Sequence, residues 1–224
     1  MNDAIILSDL HLGSKVCQAK LIVDFLEQIN CGEIETHELI LNGDVFDSWD
    51  FRRLQKHHWR VLSELRSISD HVHVVWINGN HDGPAEIISH LLGVDVAEEY
   101  IFKSGDKKIL ALHGDRFDKF ISKHPVLTRL ADTLYRWLQR IHVYWAQHAK
   151  RRSKTFLRCS DLVESKAKEY AHKKDCDIVC CGHTHLEMSK PGDISYYNSG
   201  CWTERPCTYL AVKNGEVTIH HFGE

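Results

Sequence analysis

Five short clusters of aspartate, asparagine and histidine recur between positions 9 and 185. In chain order they are Asp9-Leu10-His11, Gly43-Asp44, Gly79-Asn80-His81-Asp82, His113-Gly114-Asp115 and Gly182-His183-Thr184-His185. Carboxylate and amide oxygens and imidazole nitrogens are ligands for divalent ions such as Mn, Fe(II), Zn or Ni. Two such ions held ~3.5–4 Å apart by a shared carboxylate form a clamp for displacement at phosphorus. The set therefore predicts a dinuclear metal site suited to phosphoester hydrolysis.

Each cluster alone is a weak signal, and its significance comes from the series. A lone histidine at the end of a strand usually makes an ordinary hydrogen bond, and a Gly-Asp pair there usually forms a turn. Five clusters in order, none of them supplying a thiolate, are better explained by one shared site. The glycines within them allow the backbone to pass close to a bound ion. The other twelve of the 17 histidines show no ligand pattern and are interpreted as surface or hydrogen-bonded residues.

The elements that must position these clusters are short apolar runs rich in β-branched residues. Such runs predict buried strands at 4–8, 38–42, 71–78, 108–113, 177–182, 194–198, 207–212 and 216–222. Helix-period stretches lie between the early strands, at 20–29 and 53–68. Strand and helix alternation predicts an α/β sheet with ligands at the carboxyl ends of its strands. The last three strands follow one another through turns, so we expect the C-terminal end to be antiparallel.

One quarter of the chain differs from the rest in charge. Residues 119–174 contain 14 Lys and Arg against 4 Asp and Glu, whereas the remainder contains 14 against 27. The pattern predicts a single domain over 1–224 in which 119–174 forms an inserted basic cap, with one helix from 119 to about 147 and another from about 155 to 174. A cap could face an anionic substrate or anionic lipid headgroups; a solvated polar face is the alternative. The acidic remainder would repel a duplex, which argues against nucleic acid as a partner.

Five arginines are the candidate substrate contacts. Arg205 is included because residues 202–205 are expected to form a loop near the site, and the other four lie in the predicted cap: Arg136, Arg140, Arg151 and Arg152. All five carry a permanent positive charge suited to phosphate recognition. None of these motifs bears on the oligomeric state.

Composition excludes several other classes of protein. The chain has 224 residues, of which 43% are hydrophobic and 26% charged, which is the balance of a globular domain. No apolar run approaches the ~20 residues of a membrane span, and the N-terminus lacks the basic region of a signal peptide. Eight cysteines without a Cys-x-x-Cys pair fit a reducing compartment. We predict a cytoplasmic protein, with peripheral attachment to the inner face of the membrane as the role of a basic cap. Gly-x-Ser-x-Gly, Walker and dinucleotide-binding motifs are missing from the sequence.

The ordered clusters resemble those of the calcineurin-like metallophosphoesterase superfamily over positions 9 to 185. This resemblance implies an α/β fold, a four-layer αββα sandwich, with two divalent ions, manganese ranked first and zinc, iron or nickel as alternatives. It implies that one ion is held by Asp9, His11 and His185. The second ion would take Asn80, His113 and His183, and Asp44 would bridge the two. His81, oriented by Asp82, would stabilise charge on phosphorus or protonate the leaving oxygen.

The sequences around the clusters resemble one branch of that superfamily, the UDP-2,3-diacylglucosamine diphosphatases. The similar segments are 8–13, 41–47, 112–115 and 198–202, together with the inserted helices. The resemblance implies cleavage of UDP-2,3-diacylglucosamine or a related nucleotide-lipid to UMP and a lipid phosphate, a step of lipid A biosynthesis. Strict members of the branch carry Arg where this chain has His81. The alternatives are hydrolysis of a soluble nucleotide, phosphodiester or nucleic acid, and, more remotely, a non-catalytic scaffold.

Overall fold

The computed structural model describes residues 1–83, 85–117 and 154–223. Within them, the strands are β1 (Asn2–Leu7), β2 (Thr36–Asn42), β3 (His73–Ile77), β4 (Asp95–Ala97), β5 (Tyr100–Ser104), β6 (Lys107–Ala111), β7 (Ile178–Cys181), β8 (Met188–Lys190), β9 (Ser195–Asn198), β10 (Cys207–Lys213) and β11 (Glu216–Phe222). The helices are α1 (Ala19–Asn30), α2 (Lys56–Ile68), α3 (Ala85–Leu92) and α4 (Lys154–Lys173). Short 3-10 turns occur at Phe51–Arg53 and Asp115–Phe117.

The strands form two sheets whose parallel centres bring the polar clusters to one edge. A six-stranded sheet has the order β11-β10-β1-β2-β3-β4, and a five-stranded sheet has the order β5-β6-β7-β9-β8. Strands β1 to β4 run parallel to one another, and β6, β7 and β9 run parallel in the second sheet. The five clusters follow β1, β2, β3, β6 and β7, so each is at a carboxyl end. This confirms the α/β prediction.

Alternation along the strands produces four layers. On β1, Ile5 and Leu7 pack with α1 and α2, whereas Ala4 and Ile6 point between the sheets. The other face of the second sheet packs against α4. Side chains of this size contribute about 1.5–3 kcal/mol each when fully buried, so the three apolar layers supply the driving force for folding. The order of layers is helix, sheet, sheet, helix, and the predicted αββα sandwich is confirmed.

Helix α4 is the described part of the predicted basic insertion. Its bounds, Lys154–Lys173, match the expected helix closely. Val163, Ala167 and Ala171 are fully buried, and the two alanines pack with Val179 on the second sheet. This helix therefore forms an outer layer of the sandwich. The predicted helix from 119 to about 147, and with it Arg136, Arg140, Arg151 and Arg152, lies outside the described residues.

Other differences from the sequence predictions are local. Strand β9 pairs with β7 and β8 in the second sheet, so only β10 and β11 form the expected C-terminal antiparallel pair. Helix α3 and strands β4, β5 and β8 were not predicted, because segments of three to eight residues carry too few periods to identify. Within the described residues, every helix is too short or too polar to reach across a lipid bilayer.

Candidate metal centre

Hydrogen bonding between the first two clusters continues past the ends of β1 and β2. The amide of Asp9 donates to the Gly43 carbonyl at 3.0 Å, and the amide of His11 donates to the Asp44 carbonyl at 3.0 Å. A third bond joins Leu12 to Val45 at 2.7 Å. The two loops are thus held in register by their backbones, and their side chains are placed side by side.

The ligand-bearing loops have an unusual backbone conformation. Seven of the described non-glycine residues have positive φ, and five of them are predicted metal ligands: Asp9, His11, Asp44, His183 and His185. Their φ values lie between 49° and 67°. Such left-handed conformations cost of order 1–3 kcal/mol each and persist only where the surrounding structure imposes them. The concentration of strain at these five positions marks this edge as the functional one.

Asp9, His11 and His185 form the first ligand group. Asp9 Oδ1 lies 3.1 Å from His185 Nε2 and 3.9 Å from His11 Nε2. The two Nε2 atoms are 3.1 Å apart. Asp9 is fully buried and His11 is nearly so. These donor atoms converge closely enough for a single ion to bind all three.

Asp44 connects the first group to a second one. Its Oδ2 lies 3.8 Å from His11 Nε2 and 3.3 Å from His113 Nε2. His113 Nδ1 is 2.9 Å from the Asn42 carbonyl, and donation there leaves Nε2 free to bind a metal. The rings of His113 and His183 are 5.2 Å apart in an edge contact. A position between the two groups is what a bridging carboxylate requires.

The chemistry of this donor set fits divalent ions. Asp9 Oδ1 and His113 Nε2 are buried and make no hydrogen bond within the described chain. Buried polar atoms in proteins almost always have a hydrogen-bond partner, so these two exceptions need an explanation. Two ionisable oxygens and several imidazole nitrogens pointing at a common space are explained by bound cations. Asn80 directly precedes His81 and has an exposed side chain.

Charges in the metal-free centre are balanced by protons. Burial raises the pKa of Asp9, but the neighbouring His185 outweighs it and lowers that pKa to about 2. Burial opposes the charged form of His113, yet the Asp44 carboxylate raises the pKa of this imidazole to about 10. The pKa of Asp44 is lowered by His113 in spite of its burial. Because ligating imidazoles must be neutral, metal binding at this centre would release protons.

Two glycines make room for the ligands. A Cβ at Gly43 would fall 2.3 Å from His113 Nδ1, and one at Gly182 would fall 2.6 Å from Asp9 Oδ2. Contacts below 3.0 Å are not tolerated without a shift of the neighbouring atom. At these two positions, therefore, glycine allows the backbone to pass close to the ligands, as predicted.

His81 and Asp82 have different surroundings. His81 Nδ1 lies 3.0 Å from the Asp47 carbonyl, its amide donates to Asp44 Oδ1 at 2.9 Å, and its Nε2 is 4.0 Å from Asp44 Oδ2. The buried Asp82 carboxylate instead accepts from the amides of Phe46 at 2.9 Å and Gly79 at 3.1 Å. The Asp47 carbonyl is thus the group that orients the His81 ring. Asp82 ties the loop after β3 to the loop after β2 through these two bonds.

Asp47 is a further residue of the site, absent from the predicted ligand set. Its carboxylate lies 3.6 Å from His11 Nδ1, on the side of the ring away from the other ligands, and pairs with Arg53. Arg53 also donates to Ser48 Oγ at 2.8 Å. A carboxylate behind a ligating imidazole fixes its orientation and raises its basicity. The available signal was the spacing of Asp44 and Asp47, three residues apart after one strand.

The fifth candidate arginine does not point to a substrate contact in this structure. Arg205 is exposed, and its Nε donates to Gln18 Oε1 at 3.0 Å. Its neighbour Trp202 is fully buried against Phe25, with ring centroids 5.2 Å apart. The Trp202 amide donates to the Asp9 carbonyl at 3.1 Å, so the 202–205 segment lies beside the first ligand loop, as predicted. Arg205 contacts the loop that precedes α1.

Known proteins share this fold. The structure of Yfce, a phosphoesterase from E. coli, matches with a TM-score of 0.54 and 16% identity, over 96% of this chain and 90% of that one. A single mutant of Vps29 from Entamoeba histolytica matches with a TM-score of 0.50 and 16% identity, over 99% of both chains. At such identities the likeness concerns the fold. The chain matches none of the curated proteins with which it was compared.

The family model of the calcineurin-like phosphoesterases matches residues 4–187. This range begins in β1 and ends after the turn that carries His183 and His185, so it includes every loop of the metal centre. The chain therefore belongs to the calcineurin-like phosphoesterase family and is a metal-dependent phosphoesterase.

Proposed function

We propose that this protein cleaves a pyrophosphate or phosphodiester bond in an amphipathic substrate, with a nucleotide-lipid such as UDP-2,3-diacylglucosamine as the leading candidate. The observation that carries the proposal is a shallow, mostly apolar pocket beside His81. Its walls are Phe46, Ser48, Trp49, Phe51, His81, Gly83 and Ile87. A substrate with a phosphoryl group and an apolar portion would match this pairing of a polar centre with an apolar wall.

Three large apolar side chains that line the pocket are exposed to solvent. Trp49 is 47% exposed, Phe51 37% and Ile87 55%, all on one rim. Trp49 is held in place by the loop that carries His81, since a Cβ at Gly83 would fall 1.4 Å from Trp49 Cζ2. Large exposed apolar residues gathered at one place usually mark a binding surface. Acyl chains or an aromatic base would bury this surface on binding.

His81 is suited to act on the phosphoryl group at the boundary between the two surfaces. Its Nδ1 is engaged by the Asp47 carbonyl, so its Nε2 faces the carboxylate cluster while 43% of the side chain stays accessible. An imidazole held in this way can donate a hydrogen bond to a phosphoryl or leaving oxygen. The bound ions would supply Lewis acidity. Asp9, His11 and His185 would hold one ion, Asn80, His113 and His183 the other, and Asp44 both.

His81 also supports a second candidate, the same chemistry on a soluble nucleotide or phosphodiester. The strict lipid-cleaving enzymes of the resembling branch carry Arg at this position, and His provides one donor in place of a planar fork. In this alternative the apolar pocket would take a nucleobase. The proposal for the lipid substrate includes peripheral contact with an anionic membrane surface, to which the basic residues of 119–174 would contribute.

The deciding experiment is product analysis with a matched pair of tryptophan variants. Manganese-loaded protein is incubated with UDP-2,3-diacylglucosamine, and UMP is followed by mass spectrometry, with Asp44→Ala as the inactive control. Trp49→Ala should raise KM for this substrate and leave turnover of a short generic phosphodiester unchanged. Trp59→Ala is the matched control, because Trp59 is 49% exposed on α2 and does not line the pocket.

Each outcome separates the hypotheses. Release of UMP that depends on Asp44 and on Trp49 supports the amphipathic substrate. Turnover of the generic phosphodiester without UMP release supports the soluble substrate and rejects the lipid. Protein that binds metal and cleaves neither substrate would leave the non-catalytic scaffold as the remaining hypothesis.

A further inference from the structure

Asn198 is a fully buried residue of a motif, Asn198-Ser199-Gly200, to which the metal chemistry assigns no role. Its Nδ2 donates to the Gly182 carbonyl at 2.7 Å and lies 3.2 Å from both Thr184 Oγ1 and the Tyr196 hydroxyl. Its Oδ1 accepts from the Gly200 amide at 3.0 Å. A carboxamide can donate to a carbonyl and accept from a backbone amide with the same planar group.

The turn that Asn198 holds is the one after β7. It is tight, because the Thr184 amide donates back to the Gly182 carbonyl at 2.8 Å. His183 and His185 have φ values of 67° and 56°, a conformation that non-glycine residues rarely adopt. The turn is thus not stable by its own local preference, and it depends on bonds from outside.

In the predicted ligand sets, this turn supplies one imidazole to each group. The His185 ring lies 5.0 Å from the His11 ring, in the first group, and the His183 ring lies 5.2 Å from the His113 ring, in the second. A change in the turn would therefore alter both groups together. The amide of His183 also donates to Asp9 Oδ2 at 3.0 Å, but Asp9 is itself a predicted ligand. Asn198 contacts the turn from outside the ligand set.

We propose that Asn198 is a positioning residue that fixes where His183 and His185 place their nitrogens, and so sets the affinity of both metal positions. The inference rests on the two-ion centre of the proposed function, but not on the identity of the substrate. Asn198 would act through the Gly182 carbonyl and Thr184, with no contact to an ion or to the reacting phosphoryl group.

The test measures metal binding directly rather than activity. Manganese is titrated into the metal-free protein and followed by the EPR signal of free Mn(II), with bound manganese per chain measured by elemental analysis. Asn198→Asp keeps the shape and turns the donor into an oxygen facing the Gly182 carbonyl. Loss of an outer partner of metal ligands typically weakens metal affinity ~10–100-fold, and we expect this for both equivalents in Asn198→Asp and Asn198→Ala.

Two further variants keep the test decisive. Ser104→Ala removes a buried hydroxyl that bonds the Asp3 carboxylate and the Gly215 amide at the opposite end of the sheets, so it should destabilise without changing manganese affinity. If the Asn198 variants do not fold, Thr184→Val removes one acceptor of the same amide and should weaken binding by a smaller factor.

The inference would be overturned if folded Asn198 variants bound manganese as tightly as the unmodified chain does. It would also be overturned if Ser104→Ala lost as much manganese affinity as the Asn198 variants. Failure of the unmodified chain to bind two ions would overturn it as well, together with the two-ion centre. Two bound ions without cleavage of any amphipathic substrate would reject the proposed substrate and leave the role of Asn198 intact.

Discussion

The two ends of the sandwich differ in whether their polar groups are hydrogen-bonded. The ligand edge, formed by the loops after β1, β2, β3, β6 and β7, holds five strained residues and four buried atoms without hydrogen bonds in the described chain: Asp9 Oδ1, His11 Nδ1, Asn78 Oδ1 and His113 Nε2. The far joint, formed by Asp3, Ser104, Asn214 and Gly215, has its polar groups bonded to one another. Asp3 accepts from Ser104 Oγ and, at 2.7 Å, from the Asn214 amide, and Gly215 donates to Ser104 Oγ at 2.7 Å.

The groups of the far joint stabilise the fold, whereas the groups of the ligand edge are held in place by it. At the far joint, positive φ occurs at Asn214 and Gly215, the residue types that tolerate it in a two-residue hairpin turn. At the ligand edge, the same conformation occurs at five aspartate and histidine residues outside any hairpin turn, where it is uncommon for non-glycine residues. Bound ions would offset the strain and the missing hydrogen bonds there, whereas the polar groups of the far joint are satisfied by protein alone.

Among the changes that test this comparison, metal removal should have the largest effect on stability. An ion present at 100 times its dissociation constant stabilises the folded state by about 2.7 kcal/mol. For a chain of this length, chelation of two ions should lower Tm by roughly 10–20 °C, at about 2–4 °C per kcal/mol. Differential scanning calorimetry with manganese and with chelator measures the shift. A Tm independent of manganese would mean that the ligand edge is stable by itself and that the comparison is wrong.

The next largest effect is expected from a side chain added at a glycine of the ligand edge. In Gly182→Ala the new Cβ would fall 2.6 Å from Asp9 Oδ2 and displace that ligand, so manganese affinity should fall ~10–100-fold. The matched control is Gly192→Ala, whose nearest neighbour would be the Ile194 carbonyl at 3.6 Å, an ordinary contact. Isothermal titration of both variants with manganese compares them. Equal affinities would contradict the requirement for close backbone approach.

A smaller effect is expected at the far joint. Ser104→Ala leaves the Gly215 amide without its partner and removes one of the two hydrogen bonds to Asp3 Oδ2, which should cost about 1–3 kcal/mol of unfolding free energy. Urea denaturation measures this loss, and hydrolysis of a generic phosphodiester by the same sample should be unchanged. A parallel loss of activity would show that the two ends are coupled.

The smallest effect is a pH dependence at Asp3. The hydrogen bond from Ser104 lowers the pKa of Asp3 below its ordinary value of 3.8. A carboxyl whose pKa is lower in the folded state stabilises it above the unfolded value and loses that contribution as pH falls through the folded one. The stability advantage of the unmodified chain over Asp3→Asn should therefore be constant at neutral pH and shrink below about pH 3.8. Urea denaturation at several pH values tests this, and an advantage that grows on acidification would contradict it.

The sequence alone determined the elements and the ligand types. Strand periodicity and the polar clusters that follow each strand are local patterns, so β1, β2, β3, β6 and β7 and their ligands could be identified without a structure. The chemistry of Asp, Asn and His without cysteine also indicated the class of metal. Short strands and α3 escaped detection because they span too few residues to show a period.

Only the tertiary structure decided which groups support the ligands. Asp47 lies behind His11, the Asp47 carbonyl orients His81, and Asp82 bonds backbone amides instead. Asn198 reaches the turn after β7 from a neighbouring strand, and α4 packs as an outer layer. These contacts join residues far apart in the chain, and no local pattern encodes them, because they exist only once two sheets have packed. Ligand types are therefore readable from sequence, whereas their positioning depends on the assembled fold.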